Sequence, residues 1–111
     1  MCYHSRVFEV RQYTDRSGRS PFDRWFQTLD NFAQARITVS LERGNVSKAK
    51  SVGAGVLELR LDFGLGYRVY FGKDGERIVI LLGGGTKKRQ QADIDAAQAL
   101  WQEYKGRKRE E

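Results

Sequence analysis

Arg60 and Arg68 fall in two segments that alternate apolar and polar residues on either side of a glycine-containing turn. If those segments close as a hairpin around residues 62–66, Arg60 faces Arg68 and Glu58 faces Tyr70. Leu59 then meets Val69, and Leu61 meets Tyr67, on the opposite side. Like charges directly across a strand pair destabilise it. The arginines therefore need either solvent, with Glu58 as an intramolecular counterion, or an anion shared between them. A phosphate suits the second role, because planar guanidinium groups grip it bidentately.

Further basic groups sit at segment ends. Lys48 and Lys50 precede the Arg60 strand, and Lys87, Lys88 and Arg89 follow a later apolar run. The latter three open a helix whose N-terminal amides also favour anions. These five groups are placed to converge with the arginines on one sheet face. Asp93, early in the same helix, can orient a base or a ribose hydroxyl, or is simply the acid that the helix dipole favours. The run Gly83-Gly84-Gly85-Thr86-Lys87 lacks the G-x-x-x-x-G-K-[ST] spacing of a phosphate loop, so its glycines are read as releasing the strand from the sheet. One histidine, His4, and one cysteine, Cys2, allow no Ser/His/Asp set, no internal disulfide and no zinc cluster. Acid and base work falls to Lys, Arg, Tyr, Asp or Glu, and no cofactor is expected.

The elements that must carry these residues follow from periodicity. Residues 6–12 are rich in β formers and form a first strand. Ser20-Pro21-Phe22-Asp23 supplies an N-cap hydroxyl, a proline at the first helical position and an acid at the third, and Phe22, Trp25, Phe26 and Leu29 form one apolar stripe. Asp30-Asn31 recaps the chain, and Ala33, Ile37 and Leu41 mark a second helix that stops at Gly44-Asn45. Residues 46–55 read as a basic, glycine-punctuated loop. Two strands, 57–61 and 67–71, form the hairpin; Asp74-Gly75 then turns the chain into the apolar run 78–82, a central strand covered on both faces. Ile94, Ala97, Trp101 and Tyr104 mark a final helix, with 105–111 as a charged, frayed tail. The order β-α-α-β-β-β-α predicts an α+β fold with a mainly antiparallel four-stranded sheet, two N-terminal helices and one C-terminal helix.

A chain of 111 residues accommodates one domain, spanning 1–111, and shows no internal repeat or linker. No apolar stretch approaches the roughly 18 residues of a membrane span, and Met1-Cys2-Tyr3-His4-Ser5-Arg6 lacks the apolar centre of a signal peptide. A cytoplasmic protein without a membrane partner is expected. Its formal charge of +6 favours a polyanionic partner such as nucleic acid.

The sequence resembles a known family through Phe22-x-x-Trp25-x-x-x-Leu29, Ala33-x-Ala35-Arg36-Ile37, Arg43-Gly44-Asn45, Lys50-Ser51-Val52-Gly53-x-Gly55-Val56-x-Glu58-Leu59-Arg60-Leu61, Gly66-Tyr67-Arg68-Val69-Tyr70-Phe71, Leu81-Leu82-x-Gly84-Gly85-x-Lys87 and Asp93-Ile94. This pattern is similar to the HigB-like addiction-module killer proteins of the RelE/ParE toxin superfamily, over about residues 6–104. The resemblance implies a RelE-like fold and a toxin of a type II toxin-antitoxin system. Such a toxin enters the ribosomal A site, cleaves mRNA and is neutralised by a helix-turn-helix, HigA-like antitoxin. By position, Arg60 and Arg68 match basic residues of the family's RNA-cleaving face, Lys87 the basic residue after the last strand and Lys50 the lysine before the second strand. Asp93, in the stretch where some relatives carry a catalytic tyrosine, is counted with the catalytic set as the surviving carboxylate, and Lys48, Tyr70, Lys88 and Arg89 are expected to contact RNA.

Two acids common in relatives are missing. Ser47-Lys48 stands where others have Gly-Asp, and Gly85-Thr86-Lys87 where others have Gly-Asp-Lys, which makes this site more basic. Between Lys50, Lys87 and Asp93 the sequence does not divide the roles of base and acid. Two other activities fit the same superfamily: a ParE-like poison of DNA gyrase and a non-catalytic RNA-binding module.

Overall fold

The central strand carries a run without period, Ile78 to Leu82, and its burial explains that run. In the computed structural model, which describes residues 2–4 and 8–110, Val79 and Leu81 face one apolar cluster while Ile80 and Leu82 face another. Among the described residues the sheet has six strands: β1 (Cys2–His4), β2 (Glu9–Gln12), β3 (Lys50–Ser51), β4 (Val56–Arg60), β5 (Arg68–Asp74) and β6 (Ile78–Gly85), in the order β1-β2-β6-β5-β4-β3. Neighbours are antiparallel except β2 and β6, which run parallel with Glu9 beside Ile78.

Helices α1 (Pro21–Phe26) and α2 (Asn31–Glu42) belong to one side, and α3 (Gln90–Glu110) to the other. Ser20 caps α1 by accepting from the Asp23 amide at 3.0 Å, and Asp30 caps α2 by accepting from the Ala33 amide at 2.8 Å. An N-cap needs extended backbone, so α1 ends before Leu29, which still packs on the core from outside the helix. Gly44, at φ 74°, closes α2.

Four expectations are corrected. The sheet has six strands rather than four, because β1 and the two-residue β3 are too short to show a period. Asn45–Lys48, expected as loop, is a 3-10 turn that buries Val46. Residues 83–85 do not leave the sheet: they complete β6 and pair with Tyr70, Val69 and Arg68. The stretch expected as a frayed tail continues α3 to Glu110, held by Tyr104 Oη donating to Asp74 at 2.6 Å, by the Lys108–Asp74 ion pair and by Arg107 donating to the Thr14 carbonyl at 2.6 Å. Residues 6 and 7 of the expected first strand lie outside the described residues.

A bulge reorients the end of β6. Tyr70 pairs with Gly83 but Phe71 with Leu81, which leaves Leu82 as the extra residue. The alternation shifts, so Gly84 lies under the Trp25 ring and Gly85 under the Asp93 carboxylate, where any side chain would collide. Among the described residues no helix is long and apolar enough to cross a membrane.

Candidate functional site

The strand register brings the basic residues to one end of the sheet. Arg60 pairs with Arg68 and Arg68 with Gly85, while Glu58 lies between Lys50 on one side and Tyr70 on the other. Of the hairpin partners expected from the alternation, Glu58–Tyr70, Leu59–Val69 and Arg60–Arg68 are paired in the ladder, and just beyond it the Leu61 amide donates to the Tyr67 carbonyl at 2.9 Å.

The repulsion between the two arginines is relieved by burial against a counterion. Arg60 is exposed, but Arg68 is only 3% exposed and Glu58 2%. Glu58 Oε2 accepts from Gln90 Nε2 at 2.9 Å and lies 3.8 Å from Arg68 Nε, while its Oε1 lies 3.9 Å from Lys50 Nζ. Arg68 Nη1 donates to the Gly66 carbonyl at 2.8 Å. One carboxylate thus ties β3, β4, β5 and the start of α3 together. A single counterion does not saturate the cluster: Glu58 Oε1 and Arg68 Nε are buried without a hydrogen-bond partner. Tyr70 is fully buried beside them, so its ring offers no face to a ligand. Burial first, and the neighbouring Glu58 carboxylate second, push its phenol well above the ordinary range, so it stays protonated.

In front of this cluster a groove of about 460 Å³ runs between α2 and the end of β4 that β3 leaves uncovered, Leu59–Arg60 and the residues that follow. Lys48, Lys50 and Arg60 line it, as does the rim of Glu58. So do Arg36 and Arg43, which belong to the family pattern but were not among the expected site residues. Their spacing of two helical turns on the polar side of α2 was the available signal. Helix α2 and the end of β4 are brought together by Ala33, Ile37 and Leu41 packing with Leu59 and Leu61 in one cluster.

Lys87, Lys88 and Arg89 form an exposed 3-10 turn between β6 and α3, at the same sheet end but outside the groove. Asp93 is half-buried over Gly85 and faces a separate cleft of about 140 Å³ beside Pro21 and Gly84. Burial raises its carboxyl above the ordinary value, with Arg89 pulling the other way. The expected constellation is therefore split among the groove (Lys48, Lys50, Arg60), the buried pair behind it (Glu58, Arg68) and the turn with Asp93. Among the described residues no three His, Cys, Asp or Glu side chains are gathered as a metal site.

Comparison with known proteins matches residues 24–105 to the family described as Phage derived protein Gp49-like (DUF891). An uncharacterized protein of Haemophilus influenzae (strain ATCC 51907 / DSM 11121 / KW20 / Rd) is 45% identical over 86 residues, covering 74% of this chain and 87% of that protein. No solved structure matches.

Proposed function

Because the chain belongs to the Gp49-like family of phage-derived proteins, a RelE/HigB-like toxin-type family, we propose that it is the toxin of a type II toxin-antitoxin pair and a ribosome-dependent mRNA endonuclease. The observation that carries this reading is the open groove with Lys48, Lys50 and Arg60 set against a buried Glu58–Arg68 pair. Exposed cations suit phosphates, and the pair behind them fixes the strands that present them.

In the proposed reaction a ribose 2′-hydroxyl loses its proton and its oxygen attacks the adjacent phosphorus. The bond from phosphorus to the 5′-oxygen breaks, and that oxygen takes a proton. The products are a 2′,3′-cyclic phosphate and a 5′-hydroxyl. Arg60 and Lys50 offset the charge gathering on the phosphate, and Lys48 holds a neighbouring phosphate. Arg68 acts from behind, through Glu58, by holding Lys50 and β5 in place. Lys87 approaches the leaving oxygen from the turn, with Lys88 and Arg89 on the backbone. Of the three candidates, Asp93 faces a separate cleft, so Lys50 or Lys87 accepts the first proton. Groups so weakly suited to acid-base work fit an enzyme whose substrate is oriented by the ribosome. A helix-turn-helix antitoxin is the proposed partner.

The test is purified protein incubated with translating ribosomes and mRNA, with and without a chelator. Cleavage leaving cyclic phosphate ends in both conditions is expected. Intact mRNA together with inhibited gyrase supercoiling would replace this reading with the gyrase poison.

A further inference from the structure

Helix α2 places aromatic surface at the mouth of the basic groove. Phe32 is 64% exposed, although it belongs to a helix with a well-filled apolar side. Its ring meets Phe63 edge-on, with centroids 6.1 Å apart and planes at 90°. The Arg36 guanidinium lies 4.8 Å over Phe63 and 5.7 Å from Phe32. Phe63 is seated in turn against Tyr67, at 5.2 Å, so the ledge is fixed to the core from below. Arg36 and Phe63 both line the groove that holds Arg43, Lys48, Lys50 and Arg60.

An exposed phenylalanine and a stacked guanidinium are costly decoration for a solvated surface, since an apolar ring in water forfeits burial energy. The charge of the groove says what would cover them. Five cations line it against two carboxylates, Glu58 and Asp62, and Glu58 is already engaged with Arg68 and Gln90. A ligand complementary to it carries repeated negative charge and a flat π surface at short spacing. Single-stranded nucleic acid has both: the phosphates track the cations and an unpaired base lies on the aromatic or guanidinium plane.

We infer that Phe32, Phe63 and Arg36 form a nucleobase-stacking subsite that holds one base of a single-stranded RNA whose phosphates run along Arg43, Lys48, Lys50 and Arg60. This deepens the proposed function by naming how the RNA is seated, and it rests on that reading for the identity of the polymer. The subsite recognises a base by stacking, so it tolerates several bases and discriminates against a strand that lacks one.

The test measures binding of the full-length protein to a fluorescein-labelled 12-nucleotide RNA and to the same strand carrying abasic sites, by anisotropy at low salt. The parent should bind the base-bearing RNA more tightly. Phe32→Ala, on an exposed ring, should weaken that binding by about 5- to 50-fold while changing neither the salt slope nor the binding of abasic RNA. Arg43→Ala should weaken both RNAs alike and lower the slope by about one. No base-dependent binding by the parent, or equal losses on both RNAs for Phe32→Ala, overturns the subsite. So does a Phe32→Ala protein with parental RNA affinity that no longer co-purifies with a coexpressed antitoxin, because the ledge would then belong to a protein partner. Growth arrest and mRNA cleavage are read separately. Base-dependent binding without arrest or cleavage removes the nuclease reading and leaves the subsite standing, whereas cleavage without base-dependent binding does the reverse.

Discussion

Glu58 and Arg68 meet diagonally across β4 and β5 with 3.8 Å between carboxylate oxygen and guanidinium nitrogen, both buried from water. Removing either partner strands the other charge in the interior. Arg68→Ala should therefore lower unfolding free energy by about 3–5 kcal/mol, and Glu58→Ala by a comparable amount. The double replacement by methionine should cost less than either single change. Urea titrations of the four proteins decide it, and an Arg68→Ala protein within about 1 kcal/mol of the parent would show that the pair is not coupled. This also means that loss of toxicity in Arg68→Ala alone says nothing about chemistry.

Arg60 is the arginine whose removal does report on chemistry. It is exposed in the groove, so Arg60→Ala should leave stability within about 0.5 kcal/mol of the parent. Single-turnover mRNA cleavage on ribosomes should fall about 100-fold or more. A folded variant that cleaves at the parental rate would remove Arg60 from the reacting phosphate.

Lys48 and Lys50 are exposed lysines on the groove wall. Each replacement by alanine should take roughly one unit from the slope of log affinity against log salt for ribosome binding; Lys48→Ala should change the rate at saturation little, whereas Lys50→Ala, at the reacting phosphate, should lower it as well. Unchanged slopes in both would leave the segment as a solvated connection.

Asp93 gives a pH signature. Burial raises its carboxyl in the folded chain, so the folded state holds the proton more tightly than the unfolded one. Its favourable contribution is complete below the ordinary carboxylate value and is lost as pH rises through the folded value. Asp93→Asn should accordingly gain stability relative to the parent as pH rises from about 3 to about 7, with the gain levelling off above the folded value. Denaturant midpoints for the two proteins that stay a constant interval apart over that range would refute the assignment.

For the antitoxin, coexpression with a helix-turn-helix protein encoded alongside should yield a complex in pull-down and restore growth. Neutralisation by bulk, away from the groove, predicts that Arg60→Ala binds the antitoxin as the parent does. A loss of about 2 kcal/mol or more would instead place the antitoxin over Arg60.

The hairpin was legible because Leu57 to Leu61 and Tyr67 to Phe71 keep a strict period of two, which fixes both register and facing pairs. Ser20-Pro21 and Asp30 announced the helix starts for an equally local reason. What escaped was non-local. Register names the residue opposite Arg68 but not the Gln90 side chain that closes over Glu58 from α3. The bulge at Leu82 is invisible inside five consecutive apolar residues, and with it the reason for Gly84 and Gly85. The charges of residues 105–110 look like a solvated tail until Asp74 and Thr14 are brought beside them. Arg36 and Arg43 look like an ordinary polar helix face until the end of β4 is set opposite.

The parallel ladder between Glu9 and Ile78 has a consequence for how the protein comes into being. The strand at the middle of the sheet is the last strand to be synthesised, so β2 waits for it through most of translation, and closing so distant a contact is slow. Helix α3 is made later still, and only its first residues cover Glu58. A growing chain halted before Gln90 would hold Glu58 between Lys50 and Arg68 without the hydrogen bond from α3. Vectorial synthesis thus delays the closing of α3 over Glu58 until the sheet has been completed by β6.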